Sequence, residues 1–150
     1  MSIYFAKNFK YIEIACPHCG KNRPLDPRLI FLLQALRDKI NLPIIISSGG
    51  GLRCPVYNKQ IGGYADSPHL YGKAVDISVK GMDIFTLARI AKEVGFNRIG
   101  IYPYNYFIHV DVVEPYPSAS WVRQKDGRYK YFLTLEKALL WLKKISLTFR

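Results

Sequence analysis

Three side chains in the middle of the chain are of the types that hold a catalytic metal: His69, Asp76 and His109. His69 opens the run His69-Leu70-Tyr71-Gly72-Lys73-Ala74-Val75-Asp76, which puts the histidine on a loop and the aspartate inside a strand. A loop with glycines nearby can fold back and bring both side chains to one point. Asp76 interrupts an apolar stretch, and a carboxylate is costly to bury there unless it is paired or metal-bound. His109 falls mid-strand in Phe107-Ile108-His109-Val110-Asp111-Val112, where alternation puts Phe107, His109 and Asp111 on one face. Two imidazoles and one carboxylate form the ligand set of a catalytic zinc, with the fourth position left for water. Taken singly, His109 also reads as a satisfied strand histidine, and Asp76 as a turn partner or cap. The combination carries more weight because Gly62-Gly63, Ser67-Pro68 and Gly72 crowd the intervening loop with residues that shape a backbone.

The elements that must position these residues are legible around them. Phe9 to Ile14 alternates and reads as a short strand. Asp26-Pro27 starts a helix, with Asp as N-cap, that runs to about Ile40 and puts Leu29, Leu32, Leu33, Leu36 and Ile40 on one face. Leu42 to Ser48 reads as a buried strand built on Ile44, Ile45 and Ile46, broken by Gly49-Gly50-Gly51. Residues 52–73 read mostly as loop. Lys73 to Val79 alternates as a strand. Asp83 caps a helix to Val94 that Gly95 ends. Strands follow at Arg98–Tyr102 and Phe107–Val113, with another at Arg128–Leu133. Thr134 caps a last helix from Leu135 to about Ile145, with Leu139 and Leu142 inward. Helices mixed with antiparallel-type strands give an α+β class, a small antiparallel sheet flanked by helices, in one domain spanning 1–150.

Composition narrows the function. The chain has 150 residues, 49% of them hydrophobic, enough for a core and too many for wholesale disorder. No stretch approaches the roughly 20 apolar residues of a membrane span. The first residues lack the basic and apolar blocks of a secretory signal, so synthesis in the cytoplasm is expected. Lys and Arg number 22 against 11 Asp and Glu, a formal net charge of +11 spread along the chain. A basic surface suits an anionic partner, whether nucleic acid, anionic lipid or an acidic cell wall, and also suits plain solubility.

Three cysteines are too few for a disulfide-built scaffold. Cys16-Pro17-His18-Cys19-Gly20 is half of a tetrahedral zinc site, to which Cys54 could add a third thiolate. No fourth ligand is evident, since His18 lies inside the knuckle, and free thiols in a turn are the competing reading. A nucleic-acid-binding role would need a second metal half-site, which the sequence lacks, so no nucleic-acid partner is expected.

The same residues carry a family resemblance. Ser48-Gly49 through Arg53, then Asn58, Gly62-Gly63 and Ser67-Pro68-His69-Leu70-Tyr71-Gly72-Lys73-Ala74-Val75-Asp76-Ile77, followed by the strand Phe107-Ile108-His109-Val110-Asp111, resemble the zinc D-alanyl-D-alanine carboxypeptidase-like peptidoglycan peptidases, whose fold is shared with the hedgehog signalling domain. The Cys16–Gly20 knuckle, the Asp-Pro-Arg-Leu helix start and Ile99-Gly100-Ile101-Tyr102-Pro103 look like the branch found in phages, prophages and some wall endopeptidases. The likeness covers about residues 9–122 and leaves 123–150 as a strand-and-helix extension.

The resemblance implies one catalytic zinc on His69, Asp76 and His109. It implies Arg53 at the substrate, holding a terminal carboxylate or the developing oxyanion. The reaction implied is hydrolysis of a peptide bond in bacterial peptidoglycan, as endopeptidase or D,D-carboxypeptidase, with the endopeptidase favoured by the branch. Access to the wall would follow holin-type release, lysis or delivery in a virion.

Two departures from the family pattern matter. Residues 102–108 hold no carboxylate where many members carry the general base. Asp111 is then the first candidate base and Glu114 the second, with Asp111 equally readable as a group orienting a zinc histidine. The triple glycine stands where an aromatic often precedes the arginine, which suggests a longer, more flexible loop around Arg53. Asn58 and Ser67 read as groups that tie or shape the loop, with substrate contact as the further role. Tyr102, Tyr104 and Tyr106 read as packing residues or a cleft rim, and Trp121 as packing under the site. The missing upstream carboxylate also motivates an alternative, a catalytically inactive zinc-binding or wall-binding domain of the same fold.

Overall fold

The computed structural model describes residues 3–114 and 119–148. β1 (Tyr4–Ala6) and β2 (Phe9–Lys10) form a small antiparallel ribbon. The strand expected over Phe9–Ile14 stops at Lys10 and bends into the turn α1 (Tyr11–Ile14). Glu13 causes the bend: its carboxylate accepts the Lys10 backbone N–H at 2.6 Å, satisfying one of the donors a helix start leaves open. Helix α2 (Pro27–Ile40) begins as expected. Asp26 accepts from the Arg28 backbone N–H at 2.9 Å, and Asn41, in the left-handed region, ends the helix.

The expected strand over 42–48 shrinks to β3 (Ile45–Ile46), an edge strand with Ile45 half exposed. The stretch read as loop holds the short helix α3 (Pro55–Gln60) and one 3-10 turn (Pro68–Tyr71). Then follow β4 (Ala74–Ser78), α4 (Ile84–Val94), β5 (Arg98–Tyr102), β6 (Phe107–Asp111), β7 (Ala119–Arg123), β8 (Tyr129–Phe132) and α5 (Leu135–Thr148).

The class is α+β, but the main sheet is larger than expected and is mixed. Its six strands run in the order β3-β4-β6-β5-β7-β8, and β5 pairs with β7 in parallel while every other neighbouring pair is antiparallel. After β6 the chain passes beyond its own hairpin and returns on the far side of β5, so β7 runs with β5. Alternation reports the face a residue takes and carries no information on which strand it will join.

Val75, Ile77, Ile99, Ile101, Ile108 and Val110 are all fully buried on one face of the sheet. They share a core with Leu33 and Leu36 of α2, Leu87, Ala88 and Ala91 of α4, and Leu135, Ala138 and Leu142 of α5. The opposite face carries polar residues in register. Asp76 lies beside His109, His109 beside Gly100, and Gly100 beside Trp121, a single row across four strands. Among the described residues no helix is long and apolar enough to cross a membrane.

Asp26 does more than cap α2. Its carboxylate also pairs with Arg28 at 3.1 Å and Lys73 at 3.2 Å, joining the helix start to the strand that carries Asp76. The hydrogen bond from Arg28 leads the effects that lower its pKa to about 2, against an ordinary value of about 3.9. Asp26→Ala should therefore destabilise the protein by about 1–2 kcal/mol in urea unfolding near neutral pH. The stabilisation is complete above about pH 4 and is lost as pH falls through about 2, so the gap between wild type and variant should close over that interval.

Candidate metal centre

The row across the sheet delivers Asp76 and His109 side by side, and the 3-10 turn delivers His69. Ser67 fixes that turn: its hydroxyl accepts the His69 backbone N–H at 3.3 Å, and Gly72 in the left-handed region closes it. His69 Nε2 lies 3.3 Å from Asp76 Oδ1, and His109 Nδ1 lies 3.0 Å from the same oxygen. The three side chains are buried, and the imidazoles meet edge to face with centroids 5.1 Å apart.

The outer nitrogen of each ring has its own acceptor. His69 Nδ1 donates to the Gly51 carbonyl at 2.9 Å, and His109 Nε2 donates to Asp111 Oδ2 at 2.8 Å. With those protons placed, both inner nitrogens turn to one carboxylate oxygen, and either a proton on His109 Nδ1 or a metal cation must lie between them. Three acceptors converging in a buried site repel unless a cation lies among them. A tetrahedral zinc with ligand distances of about 2.0–2.1 Å requires donors roughly 3.3 Å apart. The observed separations match that spacing, so the residues suit a zinc ion.

The titrations carry the same message. Burial pushes Asp76 up, but the charges and hydrogen bonds of the two histidines outweigh it and hold it well below the carboxylate range. Burial holds His69 below its ordinary value. Burial also acts to lower His109, yet the hydrogen bonds to Asp111 and Asp76 lift it to about 9. The centre draws positive charge inward.

Asp111 sits outside this cluster. It is 1% exposed and accepts from His109 Nε2, from Arg98 Nε at 2.8 Å and from the Val113 backbone N–H at 3.1 Å. These bonds engage both of its oxygens, on the side of the imidazole away from the cluster. The geometry thus favours the orienting role over that of a base. Glu114, the second candidate, is exposed, pairs with Arg28 and is absent from the cleft lining.

Arg53 reaches the cluster from the other side. Its Nε donates to the Gly49 carbonyl at 2.7 Å, one terminal nitrogen donates to Asn58 Oδ1 at 3.2 Å, and the other lies 3.5 Å from Asp76 Oδ2. Asn58 is buried and spends its amide on the Tyr64 carbonyl at 2.7 Å, so it braces Arg53 and does not line the cleft.

The glycine run read as flexible is packed tight. All three glycines are buried. A Cβ on Gly50 would come within 2.7 Å of the Asp76 Cβ, and one on Gly51 within 2.6 Å of the Ile14 side chain. The Gly50 carbonyl also accepts from the Asp76 backbone N–H at 2.8 Å. The glycines let the loop backbone press against the metal centre.

A cleft of about 530 Å³ opens over the cluster. Arg53, Arg98 and Arg123 line it, together with Tyr102, Trp121 and Tyr129. Tyr102 reaches the rim as read from the sequence, whereas Tyr106 is exposed and outside it. Trp121 packs 5.2 Å from His109, centroid to centroid, over the bare backbone of Gly100. Arg98 and Arg123 went unread, although Arg98 shares the alternation of Gly100 and Tyr102 and so the face of His109. The carboxylates in the lining are Asp66, Asp76 and Asp111, of which Asp66 is exposed.

The fold sets a buried cluster of two histidines and one carboxylate, which could hold a metal ion, beneath the cleft. The family pattern of Peptidase M15 matches residues 7–111, and the chain belongs to that family. A stretch of 68 residues is 35% identical to the zinc D-Ala-D-Ala carboxypeptidase of Streptomyces albus G. That stretch covers 45% of this chain and 26% of the relative, so the likeness spans about a quarter of the relative's length.

Gly50→Ala should push Asp76 out of register and weaken zinc binding by about 10–100-fold, the range seen when the support of a metal ligand is lost. Competition with a chromogenic chelator would measure it, with circular dichroism as a check on folding.

Proposed function

We propose that the protein is a zinc-dependent peptidase that hydrolyses peptide bonds in bacterial peptidoglycan, at cross-links or at the terminal D-alanine of the stem. The observation that carries this reading is the convergence of His69 Nε2, Asp76 Oδ1 and His109 Nδ1 beneath an arginine-lined cleft. The family membership and the printed activity of the Streptomyces relative support it.

A zinc ion held there would lower the pKa of a coordinated water toward neutrality and polarise the scissile carbonyl. His69, Asp76 and His109 would hold it. Asp111 keeps the His109 ring turned so that Nδ1 faces inward, and against the effect of burial the His109 hydrogen bond and charge, then the Arg98 charge, hold Asp111 ionised. Arg53, braced by Gly49 and Asn58, presents its guanidinium at the edge of the cluster. There it can bind a peptide carboxylate or the oxyanion that develops on the carbonyl. Tyr102, Trp121 and Tyr129 give the peptide an apolar wall. Asp66 is the lining carboxylate with solvent access, which suits it to exchange protons with the attacking and leaving groups.

Wild type should contain zinc and release new amino termini or free D-alanine from purified peptidoglycan. The two products separate endopeptidase from carboxypeptidase action. His109→Ala should lose both catalytic-site zinc and activity. Arg53→Ala should keep that zinc and lose about 10²–10³ in kcat/KM. Asp111→Asn should weaken zinc binding by about 10–100-fold while preserving turnover once saturated with metal. Asp66→Asn should keep zinc and lose about 10²–10⁴ in turnover. Zinc retained at His69, Asp76 and His109 with no product from any wall chemotype would sink the catalytic reading and leave a wall-binding domain.

A further inference from the structure

Cys16, Cys19 and Cys54 converge on the side of the Arg53 segment that faces the N-terminal turn. Their sulfurs lie within 4.8 Å of one another, none is in a disulfide, and Cys16 and Cys54 are buried. His18, read from the sequence as trapped inside the knuckle, turns its Nδ1 to 3.4 Å from the Cys54 sulfur. A tetrahedral zinc with Zn–S of about 2.3 Å and Zn–N of about 2.0 Å sets a sulfur–nitrogen separation of roughly 3.5 Å. From the convergence of the three sulfurs we propose that Cys16, Cys19 and Cys54 bind a second zinc ion whose role is structural, and that His18, whose ring reaches Cys54 but lies outside the group of three sulfurs in this structure, swings in as fourth ligand.

The surroundings suit thiolates. The Cys54 backbone N–H donates to the Cys16 sulfur at 3.3 Å, and the Tyr57 N–H donates to the Cys54 sulfur at 3.4 Å. Such N–H donors are the outer-shell groups that orient and stabilise metal-bound sulfur. A centre with three thiolates and an imidazole and no open position holds a fold and does not catalyse.

Its place explains what it would hold. Cys54 caps α3 and follows Arg53 directly. On the other side of Arg53, Leu52 N–H donates to the Ile14 carbonyl at 2.7 Å, and the Arg53 N–H donates to the His69 carbonyl at 3.2 Å. The second zinc would clamp the segment that carries Arg53 onto the N-terminal turn, so the Cys residues act as positioning residues for the cleft.

Metal analysis of protein purified under reducing conditions tests this. Wild type should hold two zinc equivalents, His109→Ala one, and Cys19→Ser one. After exchange with cobalt, wild type and His109→Ala should both show the strong near-ultraviolet thiolate-to-cobalt charge-transfer band, and Cys19→Ser should lack or greatly weaken it. His18→Ala should hold the second ion at least 10-fold more weakly. If Cys19→Ser does not fold, a mercurial thiol reagent added to folded wild type should release one zinc equivalent and leave the other. Metal entirely lost in His109→Ala, or three thiols that react freely with no zinc released, would overturn the second site. Unchanged affinity in His18→Ala would overturn the assignment of the fourth ligand. The charge-transfer band in His109→Ala is independent of the cleft, so the outcome stands whether or not the peptidase reading does.

Discussion

Asp76 Oδ1 lies within hydrogen-bonding distance of two imidazole nitrogens, and each ring spends its outer nitrogen on another acceptor. In a buried site that arrangement is unfavourable until a positive charge enters it. Much of the polar face of the sheet can be read as the means of keeping it. The register of β4 against β6 sets Asp76 beside His109. The Gly51 carbonyl and Asp111 each fix one ring by its outer N–H. Arg53 faces the second oxygen of Asp76, and Arg98 balances Asp111. Slipping β6 by one residue would send His109 and Asp111 into the apolar layer and break the contacts they make with Asp76 and Arg98.

The chemistry was more legible in the sequence than the topology. His69, Asp76 and His109 stand out because polar residues at apolar-patterned positions need a reason to be there, and the structure brings them together. The helices at 27–40 and 84–94 follow from their caps and spacing, which are local. The parallel pairing of β5 with β7 does not follow, because it depends on which edge of a hairpin a later strand finds. β7 itself went unread: Ala119-Ser120-Trp121 alternates, but Trp121 was legible only as a packing residue.

Close approach between distant segments is what the glycine run conceals. Gly49-Gly50-Gly51 looked like slack, since glycine frees the backbone in isolation. Here the missing side chains allow contact with Tyr57, Asp76 and Ile14, and the segment is among the most confined in the molecule. His18 is expected not to share an ion with the thiols, and its ring meets Cys54 while staying outside the group of three sulfurs. The bond from Arg98 to Asp111 likewise depends on the pairing of β5 with β6, whereas the Val113 N–H reaches the same oxygen locally.

The parallel seam between β5 and β7 divides the cleft into two inheritances along the chain. The metal ligands and Arg53 all come from residues up to 111, the span that matches the Peptidase M15 pattern. Trp121, Arg123, Tyr129 and Tyr131 come from the β7–β8 hairpin beyond it. Most of the wall proposed for the substrate, Tyr102 apart, is therefore a separate piece of chain from the part that would hold the metal, joined to it edge to edge by backbone hydrogen bonds. Such a layout is modular: exchanging the hairpin could retune which peptides are accepted without disturbing the reactive centre, a natural point of entry for redirecting this scaffold.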